Sequence, residues 1–303
     1  MKSIQLLWLA SVACLILGGC EGQEVSKDTL IDVDDLTITE QSSTTETVNN
    51  VLLEDGLYFA KSESFSTEDG WMNTVTLEIK DGNLVTVDLN AIHESGQMLK
   101  KQASLNGDYK MLELGGAQSE WHEQIQLFES YLLAFQSVEQ LSLTDEGTTD
   151  AVTGVSINVA DYVSLFKTAV DDGPIERGPY QDGHYYAEAQ EYDQGYKYYI
   201  NMIVLNGNIL TINWDGINQE GTSTKKEDSI NGTFSLANDG NTQSEWYVQA
   251  QLMENYLLEK QDPFLITYNE NDTTDTVSNV SIKVSDFVEL TIQALASGPT
   301  IAE

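Results

Sequence analysis

Positive charge is the first thing missing. The 303 residues carry 14 Lys and Arg against 49 Asp and Glu, a formal net charge of −35. Such a surface repels phosphate backbones and anionic headgroups, so nucleic acid and an electrostatically held lipid surface are excluded as partners. Cysteine is nearly absent too: Cys14 and Cys20 are the two in the chain, and everything after residue 20 lacks a thiol. That leaves no disulfide, no cysteine metal site and no cysteine nucleophile beyond residue 20, so the fold must hold by core burial. His93, His122 and His184 stand singly, with Tyr247 where a repeat of His122 would fall, and no metal-ligand spacing arises. A Ser-His-Asp set, a phosphate-binding loop and a dinucleotide glycine fingerprint are all lacking. What is present is 41% hydrophobic and 9% aromatic residues, enough for packed cores, in a length that suits two domains.

The first twenty residues read as an address. Lys2 precedes an apolar stretch over 6–17, and Leu17-Gly18-Gly19-Cys20 is a small-residue cleavage site ending in Cys. The apolar stretch is short for a membrane span. The ending resembles a bacterial lipobox, which implies a signal peptide over 1–19 and a lipid anchor on Cys20 at the extracellular face of the cell membrane. Residues 20–50 are rich in Ser, Thr, Asp and Glu without a sustained apolar period, and read as a disordered acidic tether.

From residue 51 the pattern changes, and then it repeats. Asp55-Gly56-Leu57-Tyr58 starts a strand-like run; Val75, Leu77 and Ile79 alternate with polar residues; Asp81-Gly82 turns the chain into Leu84-Val85-Thr86-Val87. Alternation on both sides of Asp-Gly predicts a hairpin. Trp121, Ile125, Phe128, Leu132 and Phe135 fall at helical spacing and predict a helix over 119–136 with Ser119 as its cap. Leu141 and Leu143 predict a connecting strand, and a second helix is predicted over 159–170. Asn206-Gly207, Lys225-Lys226, Ser244-Glu245-Trp246 and Gly298-Pro299 then repeat Asp81-Gly82, Lys100-Lys101, Ser119-Glu120-Trp121 and Gly173-Pro174, each at a spacing of 125 residues. Two repeats of this length predict tandem α+β domains over 51–173 and 180–303, each with antiparallel hairpins packed on helices. The joint, Gly173-Pro174 through Gly178-Pro179, is short and stiffened by its prolines.

One stretch organises each repeat. Asp150-Ala151-Val152-Thr153-Gly154-Val155-Ser156 leads into the helix over 159–170, and Asp275-Thr276-Val277-Ser278-Asn279-Val280-Ser281 leads into another over 284–295. Glycine lets the backbone bend and approach a ligand closely. A helix start offers free N–H groups and a positive dipole end to a phosphate. Short Asp/Thr/Gly/Ser clusters of this kind are also ordinary turns and N-caps. The second copy in the same context is what favours a ligand-bearing loop.

The stretch resembles the acceptor sequence Asp-x-x-Ser/Thr-Gly-Ala-Thr/Ser of FMN-binding domains, in which a flavin transferase esterifies the last hydroxyl with FMN. By that resemblance Ser156 and Ser281 are the acceptors. Thr153, Gly154 and Val155, with Ser278, Asn279 and Val280, form the turn, Val standing where the family has Ala and Asn279 where it has Gly. Asp150 and Asp275 either are recognised by the transferase or cap the turn. With the lipobox and tether, the chain resembles the tandem FMN-binding lipoproteins of Gram-positive bacteria. The run Gly115 to His122 and the Val-Ser-Ile-x-Val after each acceptor are similar to pheromone-precursor lipoproteins of enterococci. The resemblance implies up to two covalent FMN groups, a transferase that consumes FAD with Mg²⁺, a donor linked to the membrane quinone pool, and an external acceptor such as ferric iron. On this reading the protein is an electron carrier more than an enzyme with its own substrate. Two alternatives stand beside it: a binding or scaffold lipoprotein without flavin, and a precursor whose leader fragment, Ala13 to Gly19, is released as a pheromone. Trp121 and Trp246 are expected in the core, with stacking on a flavin as the other reading. The lysine pairs face either a flavin's phosphate or N1–C2=O edge, or solvent.

Overall fold

Asp81 and Gly82 both adopt left-handed backbone, φ 53° and 71°, as do Asn206 and Gly207 at 54° and 76°. This is the two-residue turn whose twist matches antiparallel strands, and it closes a long hairpin in each half as predicted. The computed structural model describes residues 53–236 and 244–300. The leader, Cys20 and the tether lie outside the described residues. Strands β1 (Gly56–Lys61), β2 (Trp71–Lys80) and β3 (Asn83–His93) form one antiparallel sheet in that order. Strands β4 (Gly183–Glu188), β5 (Tyr196–Leu205) and β6 (Asn208–Asn218) form another. Trp71 pairs with His93 as Tyr196 pairs with Asn218, and the register slips at Glu78/Ile79 as at Ile203/Val204.

The helices follow in the same order. The first half has α1 (Lys100–Asn106), α2 (Met111–Gly115), α3 (Trp121–Phe135) and α4 (Ala160–Asp172). The second has α5 (Lys225–Asn231), α6 (Trp246–Lys260) and α7 (Ser285–Ser297). The architecture is α+β, with two three-stranded antiparallel sheets. In the first half Val75, Leu77 and Leu89 of the sheet meet Ile125 and Phe128 of α3 and Phe166 of α4. In the second, Ile200, Met202 and Trp214 meet Trp246, Met253 and Phe287. The reverse sides of the sheets touch each other: Met72, Ile92 and Ile203 form a small shared cluster, and Asn206 Nδ2 donates to Thr76 Oγ1 at 2.9 Å.

Two expectations need correction, and one helix pair is new. Residues 141–149 form no strand; Leu143 is exposed, and the segment is a loop pinned where Thr144 N donates to Thr148 O at 2.9 Å. The cap of α3 is Glu120 and not Ser119: the Glu120 N–H donates to Glu123 Oε2 at 2.9 Å, while the Ser119 carbonyl accepts from Gln124 Nε2 at 3.1 Å. The stretch containing Lys100 and Lys101 begins a helix, α1, as its counterpart begins α5.

Candidate functional site

The loop that carries Ser156 hangs from one buried glutamine. Gln124 sits on the apolar face of α3, three residues after Trp121, and is 1% exposed. Its Oε1 accepts from Ser156 N at 2.7 Å, Ser156 Oγ at 3.2 Å and Ile157 N at 3.3 Å. Gln249 on α6 does the same for Ser281 N, Ser281 Oγ and Ile282 N, at 2.6, 3.3 and 3.2 Å. Each amide nitrogen donates to the carbonyl at its own helix start, Ser119 or Ser244, which fixes which way the amide faces. The serines themselves are exposed. An exposed hydroxyl held against a buried amide oxygen is oriented yet open to a modifying enzyme.

The remaining loop residues divide by role. Gly154 and Asn279 are both left-handed, φ 89° and 64°, so the turn demands the conformation that glycine adopts freely and asparagine tolerates. Val155 and Val280 are buried in the two cores, while Thr153 and Ser278 face solvent. Asp150 and Asp275 are exposed, and neither side chain has a hydrogen bond among the described residues. The residues before them hold the turn instead. Thr149 Oγ1 donates to Ser142 O at 2.9 Å and accepts from Ala151 N, and Thr274 Oγ1 donates to Thr267 O at 2.6 Å and accepts from Thr276 N. Of the two roles open to the aspartates, capping the turn therefore belongs to the buried threonines. The N–H groups of Ser156 and Ile157 are not free for a phosphate, because the glutamine takes them.

The lysine pairs split into one of each kind. Lys101 binds Asp88 Oδ1 at 2.5 Å and also Glu129; Lys226 binds Glu254 Oε1 and Asn213 Oδ1 at 2.7 and 2.6 Å. These are not solvated ends. Glu129 and Glu254 are buried and accept the backbone N–H groups of Leu89 and Trp214, so each lysine neutralises a carboxylate that supports the sheet.

Lys100 and Lys225 lie among aromatic rings. The Lys225 ammonium is 4.7–5.2 Å from the ring centres of Tyr196, Tyr198, Phe234 and Trp246. Lys100 stands over Trp71, Tyr109 and Trp121, with Asp69 Oδ2 at 4.0 Å. Ring faces attract a cation, but burial costs more: burial pushes Lys225 down to about 8, against the pull of Asp193, Asp286 and Asp215. Lys100 is lowered by burial too, opposed by Asp69. In the second half Lys225 lines a cavity of about 200 Å³ together with Tyr198, Phe234, Trp246, Ser281 and Asp286 among others. Ser281, Lys225 and the rings thus line one space. Trp121 and Trp246 are core residues, 4% and 2% exposed, and Trp246 also forms part of the cavity wall.

Sequence reasoning missed Gln124, Gln249, Thr149 and Thr274. A signal existed for the glutamines, a polar residue placed in the apolar stripe of both helices, three residues after a Trp.

No family model and no curated protein matches the chain. A solution NMR structure of a Clostridium thermocellum protein is similar at 43% identity, over 40% of this chain and 92% of that chain, with a TM-score of 0.33. A crystal structure of a Clostridium perfringens protein is similar at 18% identity, over 40% of this chain and 85% of that chain, with a TM-score of 0.29.

Proposed function

We propose that the chain is a lipid-anchored extracytoplasmic flavoprotein of two tandem FMN-binding-like domains, carrying FMN on Ser156 and Ser281 and relaying electrons from a quinone-linked membrane donor to an external acceptor such as ferric iron. The observation that carries this reading is the doubled construction of the acceptor: an exposed serine hydroxyl, a left-handed turn before it, and a buried glutamine fixing both. FMN fits what surrounds Ser281. The cavity has aromatic walls for a flat ring and a buried ammonium for an electron-rich edge. At about 200 Å³ it is smaller than sites that enclose a whole ligand, so much of the group would stay at the surface, where a carrier needs it.

When bound, FMN supplies the electron uptake and release; the protein holds and tunes it. Attachment forms an ester between the serine Oγ and the flavin phosphate, breaks the pyrophosphate of FAD, releases AMP, and passes the hydroxyl proton to the transferase. Gln124 and Gln249 hold the loop still for that step. Co-expression with a flavin transferase should add two FMN masses to the intact protein and give a fluorescent band under denaturing electrophoresis. Ser156→Ala and Ser281→Ala should each remove one FMN, and Thr153→Ala none. An unmodified mass in the unsubstituted protein would overturn the reading.

A second reading has its own observation. A cavity of about 540 Å³ between the halves, lined by Met98, Leu99, His184, Tyr186 and Ile203 among others, is of ligand size. It favours a small-molecule-binding lipoprotein if the mass test fails.

A further inference from the structure

The cavity at Ser281 presents a particular set of groups. Lys225 is 1% exposed, and its ammonium makes one hydrogen bond among the described residues, to the Tyr198 hydroxyl. No carboxylate lies within ion-pair distance of it among those residues, in contrast to Lys226, which is paired with Glu254. A buried ammonium with donors to spare, on a residue that lines a cavity, has room for an acceptor from outside. Across the same space stands Asp286, half-buried, which burial pushes up from the ordinary carboxylate range. Tyr198, Phe234 and Trp246 supply ring faces. A donor, an acceptor and flat apolar walls together match a planar heteroaromatic ring that shows a carbonyl oxygen beside an N–H.

We propose that Lys225 and Asp286 take the imide edge of a planar heteroaromatic ligand, Lys225 donating to a ring carbonyl and Asp286 accepting from the ring N–H. This rests on the flavin reading, since the pyrimidinedione edge of the isoalloxazine is such an edge, and it assigns the role to the first lysine of the pair alone. Lys226 is spent on Glu254 and the sheet. The first half is built differently: Asn73 stands where Tyr198 does, its Nδ2 donates to Asp161 Oδ2 at 3.3 Å, and Asp69 approaches Lys100. The edge preference therefore belongs to the second half.

The test uses full-length chain made without a transferase, so its result does not depend on whether Ser281 accepts FMN. Acetylation of Lys225 by acetic anhydride is followed by peptide mapping, alone, with riboflavin, and with N3-methylriboflavin. Riboflavin should slow acetylation of Lys225 at least tenfold while leaving exposed Lys167 unchanged, and the methylated ring should protect at least tenfold less well. Absence of protection by riboflavin, or equal protection by both rings, overturns the proposal. Protection with no FMN mass at Ser281 after co-expression would sink covalent attachment and leave the edge assignment standing. The FMN mass without protection does the reverse. Lys225→Met adds a second readout, at least tenfold weaker quenching of riboflavin fluorescence, and the acetylation experiment does not need that variant to fold.

Discussion

Gln124 shows how a single side chain converts a surface loop into a fixed one. Its carbonyl oxygen serves three donors of the loop, and its nitrogen closes the start of its own helix. Gln124→Leu preserves much of the volume but leaves the buried Ile157 N–H without an acceptor, and Ser156 must turn to water. An unsatisfied buried donor costs about 1–3 kcal/mol. The variant should therefore unfold at lower urea with an unchanged slope, by about that amount, and Gln249→Leu should match it. A midpoint unchanged in both variants would mean the loop holds itself. At this scale the sequence was only half readable. The core tryptophans could be placed from pattern, and so could the turn before each of Ser156 and Ser281. The glutamines could be noticed as polar residues in an apolar stripe, but the partner of such a residue lies 32 positions away in the loop. No periodicity encodes that contact.

Elements with strong local codes were legible and those made by tertiary contact were not. Asp81-Gly82 and Asn206-Gly207 announce hairpins because left-handed residues are needed there, and the amphipathic run announces α3, which the repeat of Ser244-Glu245-Trp246 carries over to α6. Helix α1 carries no such code, and α5 has only the capping box of Thr224 and Glu227 at its start. Their sequences, KKQASLN and KKEDSIN, are polar, and what they bury, Lys100, Ala103 and Ser104 in one and Lys225, Asp228 and Ser229 in the other, follows no apolar stripe. The expected strand at Leu141 and Leu143 failed for the opposite reason: an alternating pair without a neighbouring strand edge stays a loop. The turn at Gly154 and Asn279 is an element of the first kind. Left-handed backbone costs a residue with a Cβ about 1–2 kcal/mol, and least for asparagine among non-glycine residues. Asn279→Ala should then destabilise by about 1 kcal/mol and Asn279→Gly should not. Under limiting transferase, FMN should reach Ser156 before Ser281, and Asn279→Gly should narrow that gap. Peptide mapping over a time course, read beside the urea midpoints, checks both; equal rates at the two serines count against a backbone origin.

On the scale of the molecule, the alternation in β2 and β5 has a meaning that a sequence reader does not see. Val75, Leu77 and Ile79 face the helices, as predicted, but the intervening Thr74 and Thr76 are buried as well, at 0% and 9% exposure. They lie on the reverse side of the sheet, with Met72 and Ile92, and the other half covers that side through Ile203. The Thr76 hydroxyl finds Asn206 while the Thr74 hydroxyl has no hydrogen-bond partner among the described residues, and both β-branched side chains pack on a pleated surface. Residues Asn50–Glu303 accordingly form one compact unit. The halves should unfold together, in one transition by calorimetry, although each has its own core. Ile203 is the residue to disturb, because it is fully buried and belongs to the shared cluster and not to the core of either half. Ile203→Ala should lower stability by about 2–4 kcal/mol while keeping one transition. Ile203→Asp places an unpaired carboxylate in the seam, where it must either draw in water or push the sheets apart. The expected result is two separated transitions at neutral pH, merging again as the pH falls and the carboxyl takes up a proton. A single, unshifted transition in Ile203→Asp at neutral pH would show that the seam carries no coupling, and that each half stands on its own core alone.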